Sequence, residues 1–228
     1  MSSSARLPAA KWADPAMFIG HWAPALVVGA VRKKPGLATL FIAAQLVDWL
    51  FFGFLLLGWE HMRITPGISA MNPMDLYDMP ATHSLKGTLG FAMVYFGLVW
   101  LLTKDRTAGV FAAAVVVSHW LLDLLVHIPD LTITGSPPKL GLGLWNYPWI
   151  EMPLELGITF GALWFYNKHR RPAIGRVYAL GLILLVLQAV NWFGPVDTEV
   201  TMATSLLAFF AFGLSTWTAW WIGESARS

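Results

Sequence analysis

The stretch 108-AGVFAAAVVVSHWLLDLLVHI-128 is long and apolar enough to cross the roughly 30 Å hydrocarbon core of a bilayer as one helix. It nevertheless carries His119, Asp123 and His127 at steps of four residues. On a helix of about 3.6 residues per turn, that spacing keeps the three side chains on one slowly drifting face. Because ionisable groups are costly inside a membrane, we expect this face to meet partners on other helices rather than lipid.

The rest of the chain has the composition of a membrane protein. Of its 228 residues, 57% are hydrophobic and 12% are charged, which is unusual for a soluble domain. We predict an all-α, polytopic integral membrane helix bundle with six or seven transmembrane helices, forming a single transmembrane domain over residues 1–228. The first predicted span is short and is interrupted by Pro24. The spans are predicted near 15–31, 37–58, 84–102, 108–128, 149–166, 176–193 and 200–222.

The distribution of Lys and Arg predicts the orientation. The connections 32–35, 103–107 and 167–176 are basic, whereas the long Pro- and Gly-rich connections 59–82 and 129–148 are acidic to neutral. Cytoplasmic loops retain basic residues, so we expect the basic connections and the C-terminus to be cytoplasmic. The net charge is only +2 and its basic residues lie in loops, so the predicted partner is the lipid bilayer and not nucleic acid.

Most polar residues within the predicted spans fall in the same, outer half of the membrane. Some of them are the kind of residue that joins helices by hydrogen bonds, and we assign Gln45, Gln188 and Asn191 to that role. His61 and His169 are expected to be exposed. The ionisable residues predicted to converge are His21, Asp48, His83, His119, Asp123, His127, Glu151 and Glu155.

A His and an Asp one helical turn apart can bind one metal ion from the same helix face. His119 and Asp123 have this spacing, and Asp48, His83 and His21 are available as further ligands. The chain has no Cys, so the donors are nitrogen and oxygen, which suit zinc, manganese or iron. A metal site with nitrogen and oxygen ligands and an open coordination position can activate water. Metal-dependent hydrolases use this chemistry.

Three further residues are candidates for the catalytic chemistry. His127 and Glu151 are predicted to act as general acid or base. Lys86 is predicted to hold an anionic group such as phosphate. Together with the position of the cluster, they predict hydrolysis of an ester or phosphoester in an amphiphilic small-molecule substrate.

The same residues resemble a known family. His21 in an apolar helix, Asp48 late in the next span, 82-THS-84 and 118-SHWLLD-123 are similar to those of the predicted membrane-bound metal-dependent hydrolases, the YdjM-like inner-membrane proteins. The resemblance covers roughly residues 15–130. The chain departs from the family in having one Asp in 46-LVDWL-50 and no basic residue before Thr-His-Ser in 78-DMPATHS-84. The resemblance implies a bacterial inner-membrane location and the metal ligands His21, Asp48, His83, His119 and Asp123.

Three other functions use the same residues. A proton or cation transporter could relay charge along the His and Asp side chains, but it would need polar residues on both sides of the midplane. A membrane cytochrome could use two His as haem ligands, although carboxylates beside them are unexpected. An accessory or scaffold subunit of a membrane complex would use the cluster only to join helices.

Overall fold

The computed structural model describes residues 18–195 and 198–226, and these are mostly helical. The predicted span 15–31 therefore begins outside the described residues. Each of the other predicted spans contains one helix, except 37–58, which contains two. A 3₁₀ turn, Ile19–His21, leads into the first helix. The helices are α1 (Trp22–Val31), α2 (Leu37–Ala44), α3 (Leu46–Leu57), α4 (Leu85–Thr103), α5 (Arg106–Val126), α6 (Pro148–Arg170), α7 (Ile174–Phe193) and α8 (Met202–Ser225).

Among the described residues, four helices are long and apolar enough to cross a membrane, namely α4, α5, α7 and α8. The pair α2 and α3 would be a fifth span if its 54° bend lies within the bilayer. These lengths and compositions are those of an integral membrane protein. The predicted number of six or seven spans is not confirmed, because α1 is short and α6 carries Glu151, Glu155 and a basic last turn.

Helix α5 lies at the centre of the bundle, where it contacts α1, α2, α3 and α4. Its buried face combines small residues such as Ala108 and Ala112 with His119 and Asp123. At Gly109 an added Cβ would lie 2.9 Å from the carbonyl oxygen of Phe96, so glycine permits the close approach of α4. Helix α6 packs against α1 and α7, and α8 packs against α2, α3 and α7.

The helix formed by α2 and α3 is broken at Gln45. This residue leaves helical geometry, with φ −110° and ψ 12°, and its side chain donates to the carbonyl oxygen of Phe18. A broken helix is tolerated within a membrane where other protein groups satisfy the freed backbone. Here the carbonyl oxygen of Ala44 accepts a hydrogen bond from His119. The break also puts Asp48 in the first turn of α3, where the helix dipole favours a carboxylate.

Two short antiparallel hairpins add a little sheet to the mostly helical fold. Strands β1 (His61–Ile64) and β2 (Met74–Asp78) pair within the first long connection, and β3 (Leu131–Thr132) and β4 (Lys139–Leu140) pair within the second. The two connections touch, because the Nζ of Lys139 donates to the carbonyl oxygen of Tyr77. They cover one end of α5 with a hydrophobic cluster formed by Phe51, Met62, Leu76, Met79, Trp120 and Leu131.

The opposite end of the bundle carries basic side chains. Arg32, Lys33 and Arg170 line one small pocket there together with Gly223 near the end of α8. The sequence alternation between basic and long connections therefore corresponds to two different ends of the folded bundle.

Candidate metal centre

Six ionisable side chains meet beneath the two hairpins. They come from the turn before α1, from α3, from the residue before the cap of α4, and from the last turns of α5. Five of them are buried, and the side chain of Asp48 is 21% exposed. The six are His21, Asp48, His83, His119, Asp123 and His127.

Two overlapping groups of three side chains bring their ligand atoms close enough to share a metal ion, namely Asp48, His83 and His119, and His21, His119 and Asp123. The Oδ1 of Asp48 lies 3.4 Å from the Nε2 of His83 and 3.4 Å from the Nε2 of His119. The Oδ2 of Asp123 lies 3.1 Å from the Nε2 of His119 and 3.8 Å from that of His83. Ligands about 2.0–2.1 Å from a tetrahedral zinc ion lie about 3.3 Å from one another. The observed separations scatter around that value.

The hydrogen bonding of His119 leaves its second nitrogen facing a carboxylate. Its Nδ1 lies 2.7 Å from the carbonyl oxygen of Ala44, which can only accept, so Nδ1 donates. Its Nε2 is buried and has no hydrogen-bond partner among the described residues, and the same holds for the Oδ2 of Asp123, 3.1 Å away. A cation can join these two atoms, either as a proton on the ring or as a metal ion between them.

His83 is oriented in the same way by a chain of two hydrogen bonds. The hydroxyl of Thr82 donates to Glu60 at 2.5 Å, so its oxygen accepts from the Nδ1 of His83 at 2.9 Å. Glu60 is itself fixed, because it also accepts the backbone N–H groups of Ala81 and Thr82. The Nε2 of His83 is therefore the free nitrogen, and it points toward Asp48 and Asp123.

The turn that presents His83 is held by its neighbours in sequence. Ser84 caps α4 by accepting from the backbone N–H of Gly87, and it donates to the carbonyl oxygen of Ala81. At Gly87 an added Cβ would lie 1.7 Å from that same carbonyl oxygen, so the turn requires glycine. The segment from Ala81 to Gly87 thus functions as one rigid support for the His83 ring.

His127 stands at the other side of Asp123. It follows the last residue of α5, and its Nδ1 donates to the Oδ1 of Asp130 at 2.9 Å. Its ring packs against that of Trp145, with 4.1 Å between the centroids. Its Nε2 lies 3.4 Å from the Oδ1 of Asp123. The ring is thus fixed on both sides and directs one nitrogen at the cluster.

His21 is held both through the backbone of the turn before it and through contacts of its ring. The Oε1 of Glu155 accepts the backbone N–H groups of Phe18 and Gly20, and its Oε2 accepts from Gln188. These bonds hold the 3₁₀ turn that ends at His21. The Nε2 of His21 lies 2.9 Å from the Oδ1 of Asp123, and its ring stacks on His119 with 4.0 Å between the centroids.

The five residues predicted as metal ligands therefore lie together, and His127 adjoins them. The other two catalytic candidates differ. Glu151 is buried in the first turn of α6, and neither of its carboxylate oxygens has a hydrogen-bond partner among the described residues. Lys86 is the second residue of α4 and is exposed. Its predicted role in holding an anion stays a prediction.

Sequence reasoning missed the residues that orient the histidines. Asp130 stands three positions after His127, a spacing that could have indicated a partner. Nothing in the sequence connects Glu60 with His83, because they are joined by the fold of the first hairpin. Glu155 was predicted within the polar cluster, but its role in holding the turn before α1 depends on tertiary contacts.

Comparison with models of protein families, with curated proteins and with solved structures finds no match to this chain. The resemblance to membrane-bound metal-dependent hydrolases stays a prediction, and so does the binding of a metal.

Proposed function

We propose that this chain is a membrane-embedded, metal-dependent hydrolase that acts on an ester or phosphoester of an amphiphilic substrate. The observation that carries the proposal is the pair formed by the Nε2 of His119 and the Oδ2 of Asp123. Both atoms are buried, have no hydrogen-bond partner among the described residues and lie 3.1 Å apart. Two such buried atoms are costly unless a proton or a metal ion joins them.

The residues that would hold the ion form two groups that share His119, with Asp48 and His83 in one and His21 and Asp123 in the other. Zinc is the first choice, with manganese or iron as alternatives. A divalent ion at this position would supply Lewis acidity and a water reactive near neutral pH. Asp48 is the most exposed of these residues, so water and substrate would reach the centre beside it. The side chains of His83 and His119 are fixed by Thr82 and Ala44, so the centre needs little reorganisation to bind.

His127 and Glu151 stay the candidates for proton transfer. His127 lies within the cluster, where it directs one nitrogen to Asp130 and the other to Asp123. Glu151 is buried in the first turn of α6, one turn before Glu155. Either side chain can carry a proton to a leaving group or from a water molecule once it lies within hydrogen-bond reach.

The amphiphilic substrate follows from the surroundings of the opening. Asp48 lies on a helix whose other residues are apolar, between spans that expose large hydrophobic side chains. A substrate with a hydrocarbon part could approach through the bilayer and present its polar linkage to the centre.

We further propose that α1 and α6 also lie within the membrane, giving six or seven spans, in a bacterial inner membrane. The basic end of the bundle is then cytoplasmic, together with the C-terminus, because Gly223 of α8 lies beside Arg32 and Arg170. The hairpins and the centre face the opposite side. The close packing of α1 and α6 against one another supports their insertion as a pair.

The test is hydrolysis by the purified protein in detergent or lipid discs, reconstituted with zinc or manganese. The substrates are a panel of acyl esters and phosphoesters that share one hydrocarbon chain and differ in the linkage. We expect turnover that a chelator abolishes, that His119→Ala removes and that His169→Ala retains, because His169 is exposed and distant in sequence from the cluster. Equal turnover by the two variants would refute the proposal.

A further inference from the structure

We propose that the basic end of the bundle binds a phosphate group in the pocket lined by Arg32, Lys33 and Arg170, and that this phosphate belongs to the headgroup of an anionic lipid. The pocket lies at the end of the bundle away from the hairpins and the candidate metal centre. The proposal therefore goes beyond the hydrolase function and does not depend on it.

The basic side chains of the pocket come from separate parts of the chain. Arg32 and Lys33 directly follow α1, whereas Arg170 is the last residue of α6. Gly223, in the last turn of α8, lies against them. Residues so far apart in sequence meet only in the folded bundle. The pocket is therefore a feature of the tertiary structure and not merely a basic loop.

The positive charges of the pocket have no carboxylate partner among the described residues. Within that part of the chain, the one ion pair that involves a Lys or an Arg joins Arg63 to Asp75 in the first hairpin. The Nε of Arg170 is buried and has no hydrogen-bond partner among the same residues. A buried donor of a charged group is costly when it is left unsatisfied. An anion in the pocket would supply the missing acceptor.

The start of α2 adds a second attraction for an anion. Gly36, the N-cap residue of α2, and Leu37, its first residue, both line the pocket. A glycine has no side chain with which to cap the helix, so the backbone N–H groups of the first turn are left for another acceptor. These N–H groups and the helix dipole favour a negative charge. The pocket thus combines basic side chains with the N-terminus of a helix.

The floor of the pocket is apolar and closely packed. An added Cβ at Gly29 would lie 2.7 Å from the Cδ1 of Leu37 and 3.3 Å from the ring of Tyr166. Gly29 therefore lets α1 approach α2 and α6 closely at this point. Because the floor is closed, a charged ligand has room only at the mouth, beside the basic side chains. This arrangement suits a phosphate that remains attached to a larger molecule outside the pocket.

The depth of the pocket in the membrane favours a lipid as that larger molecule. Helix α8 is long and apolar enough to cross a bilayer, and Gly223 lies in its last turn. The end of such a helix lies at the level of the lipid headgroups. Val31, which directly precedes Arg32, exposes its apolar side chain. A lipid could therefore place its phosphate in the pocket and its hydrocarbon chains against the outside of the bundle, as basic pockets between membrane helices do elsewhere.

Lipid binding tests the proposal. The purified chain in a neutral detergent is titrated with short-chain phosphatidylglycerol, and native mass spectrometry counts the bound lipids and gives their affinity. We expect a single tightly bound lipid. Arg32→Gln and Arg170→Gln should each weaken its binding by more than about tenfold, because each removes a charged hydrogen-bond donor.

Arg106→Gln is the matched control. It removes the charge of an exposed arginine at the start of α5, opposite the hairpin-covered end of that helix, and Arg106 does not line the pocket. We expect this variant to bind the lipid like the wild type. Equal weakening in Arg106→Gln and Arg170→Gln would show that a basic surface attracts the lipid generally, and would overturn the proposed pocket.

Two further titrations identify the source of the phosphate. Short-chain phosphatidylcholine, which has a phosphate but no net charge, should bind more weakly than phosphatidylglycerol. Binding of inorganic phosphate without binding of phosphatidylglycerol would overturn the assignment to a lipid, and binding of neither would overturn the site. If the pocket variants fail to fold, as judged by thermal melting, the wild-type titrations still decide. None of these measurements uses hydrolysis, so the proposed enzyme activity stands or falls separately.

Discussion

The Nδ1 of His119 donates to the carbonyl oxygen of Ala44 at the point where α2 gives way to α3. In a continuous helix that oxygen would accept the backbone N–H of Asp48. The interruption at Gln45 therefore provides the acceptor that fixes the His119 ring and also places Asp48 at the start of a helix. The orientation of the His119 ring on α5 therefore depends on the break between α2 and α3 at Gln45.

Removing a predicted ligand should remove the metal. His119→Ala deletes a nitrogen that faces both Asp48 and Asp123. We expect metal affinity to fall by more than about 100-fold, since even the outer partners of a ligand contribute about 10–100-fold. Competition with a chromophoric chelator measures the change. His169→Ala is the matched control, and a normal affinity in His119→Ala would exclude that ring as a ligand.

The hydroxyl of Thr82 should matter more than its methyl group. Thr82→Val keeps the shape but removes the link between His83 and Glu60, so we expect metal affinity to fall by about 10–100-fold. Thr82→Ser keeps the hydroxyl and should bind normally. Equal loss in both variants would indicate that packing, not the hydrogen-bond chain, orients His83.

Glu155 should stabilise the turn before α1. The carboxylate of Glu155 accepts three hydrogen bonds, from the backbone N–H groups of Phe18 and Gly20 and from the side chain of Gln188. Glu155→Gln leaves only one oxygen, so the amide cannot accept all three. We expect a loss of about 1–3 kcal/mol in the free energy of unfolding, measured by thermal melting in detergent. Glu199→Gln, at an exposed position, should melt like the wild type. Identical melting of the two variants would contradict the assigned role.

Two glycines of α4 provide a steric test of the His83 turn. Gly87→Ala would place a Cβ 1.7 Å from a backbone oxygen, whereas Gly90→Ala meets nothing within 4 Å. We expect Gly87→Ala to destabilise the fold by about 1–3 kcal/mol and to weaken metal binding. Gly90→Ala should be neutral or slightly stabilising, since alanine favours helices. Thermal melting and metal titration of the pair decide this.

The orientation can be tested with reporters. A reporter inserted within 167-NKHRR-171 should score cytoplasmic, and one near Gly135 in the second hairpin connection should score on the opposite side. The reverse result would place the hairpins and the cluster at the cytoplasmic face, while leaving the proposed ligands unchanged.

The sequence predicted the helical segments and the convergence of the His and Asp side chains because both depend on local patterns. Apolar length identified α5, and the four-residue spacing put His119 and Asp123 on one face of it. The bend at Gln45 was not predicted, since the apolar pattern runs through residues 37–57 without a proline or glycine at the break. The hairpins were missed because short strands in Pro- and Gly-rich connections have too few alternating residues to be recognised.

The partners of the histidines could not be predicted for a different reason. Glu60, Asp130 and the carbonyl of Ala44 act through contacts that exist only after the connections fold over α5. A carbonyl has no signature in the sequence, and a single Glu in a long connection has no preferred partner. The sequence therefore indicated which side chains could act as ligands, but not which atoms fix the tautomers of the histidines.

The turn that presents His21 has a consequence for biogenesis. It is held by Glu155 of α6 and Gln188 of α7, which leave the ribosome long after the first helix. A nascent chain that ends after α5 contains every proposed ligand but lacks the bonds that fix the first of them. If the proposed centre binds a metal ion, its ligands are therefore all fixed only after the C-terminal half has been synthesised. The ion would then join helices inserted at different times and would bind fully only in the completely assembled protein.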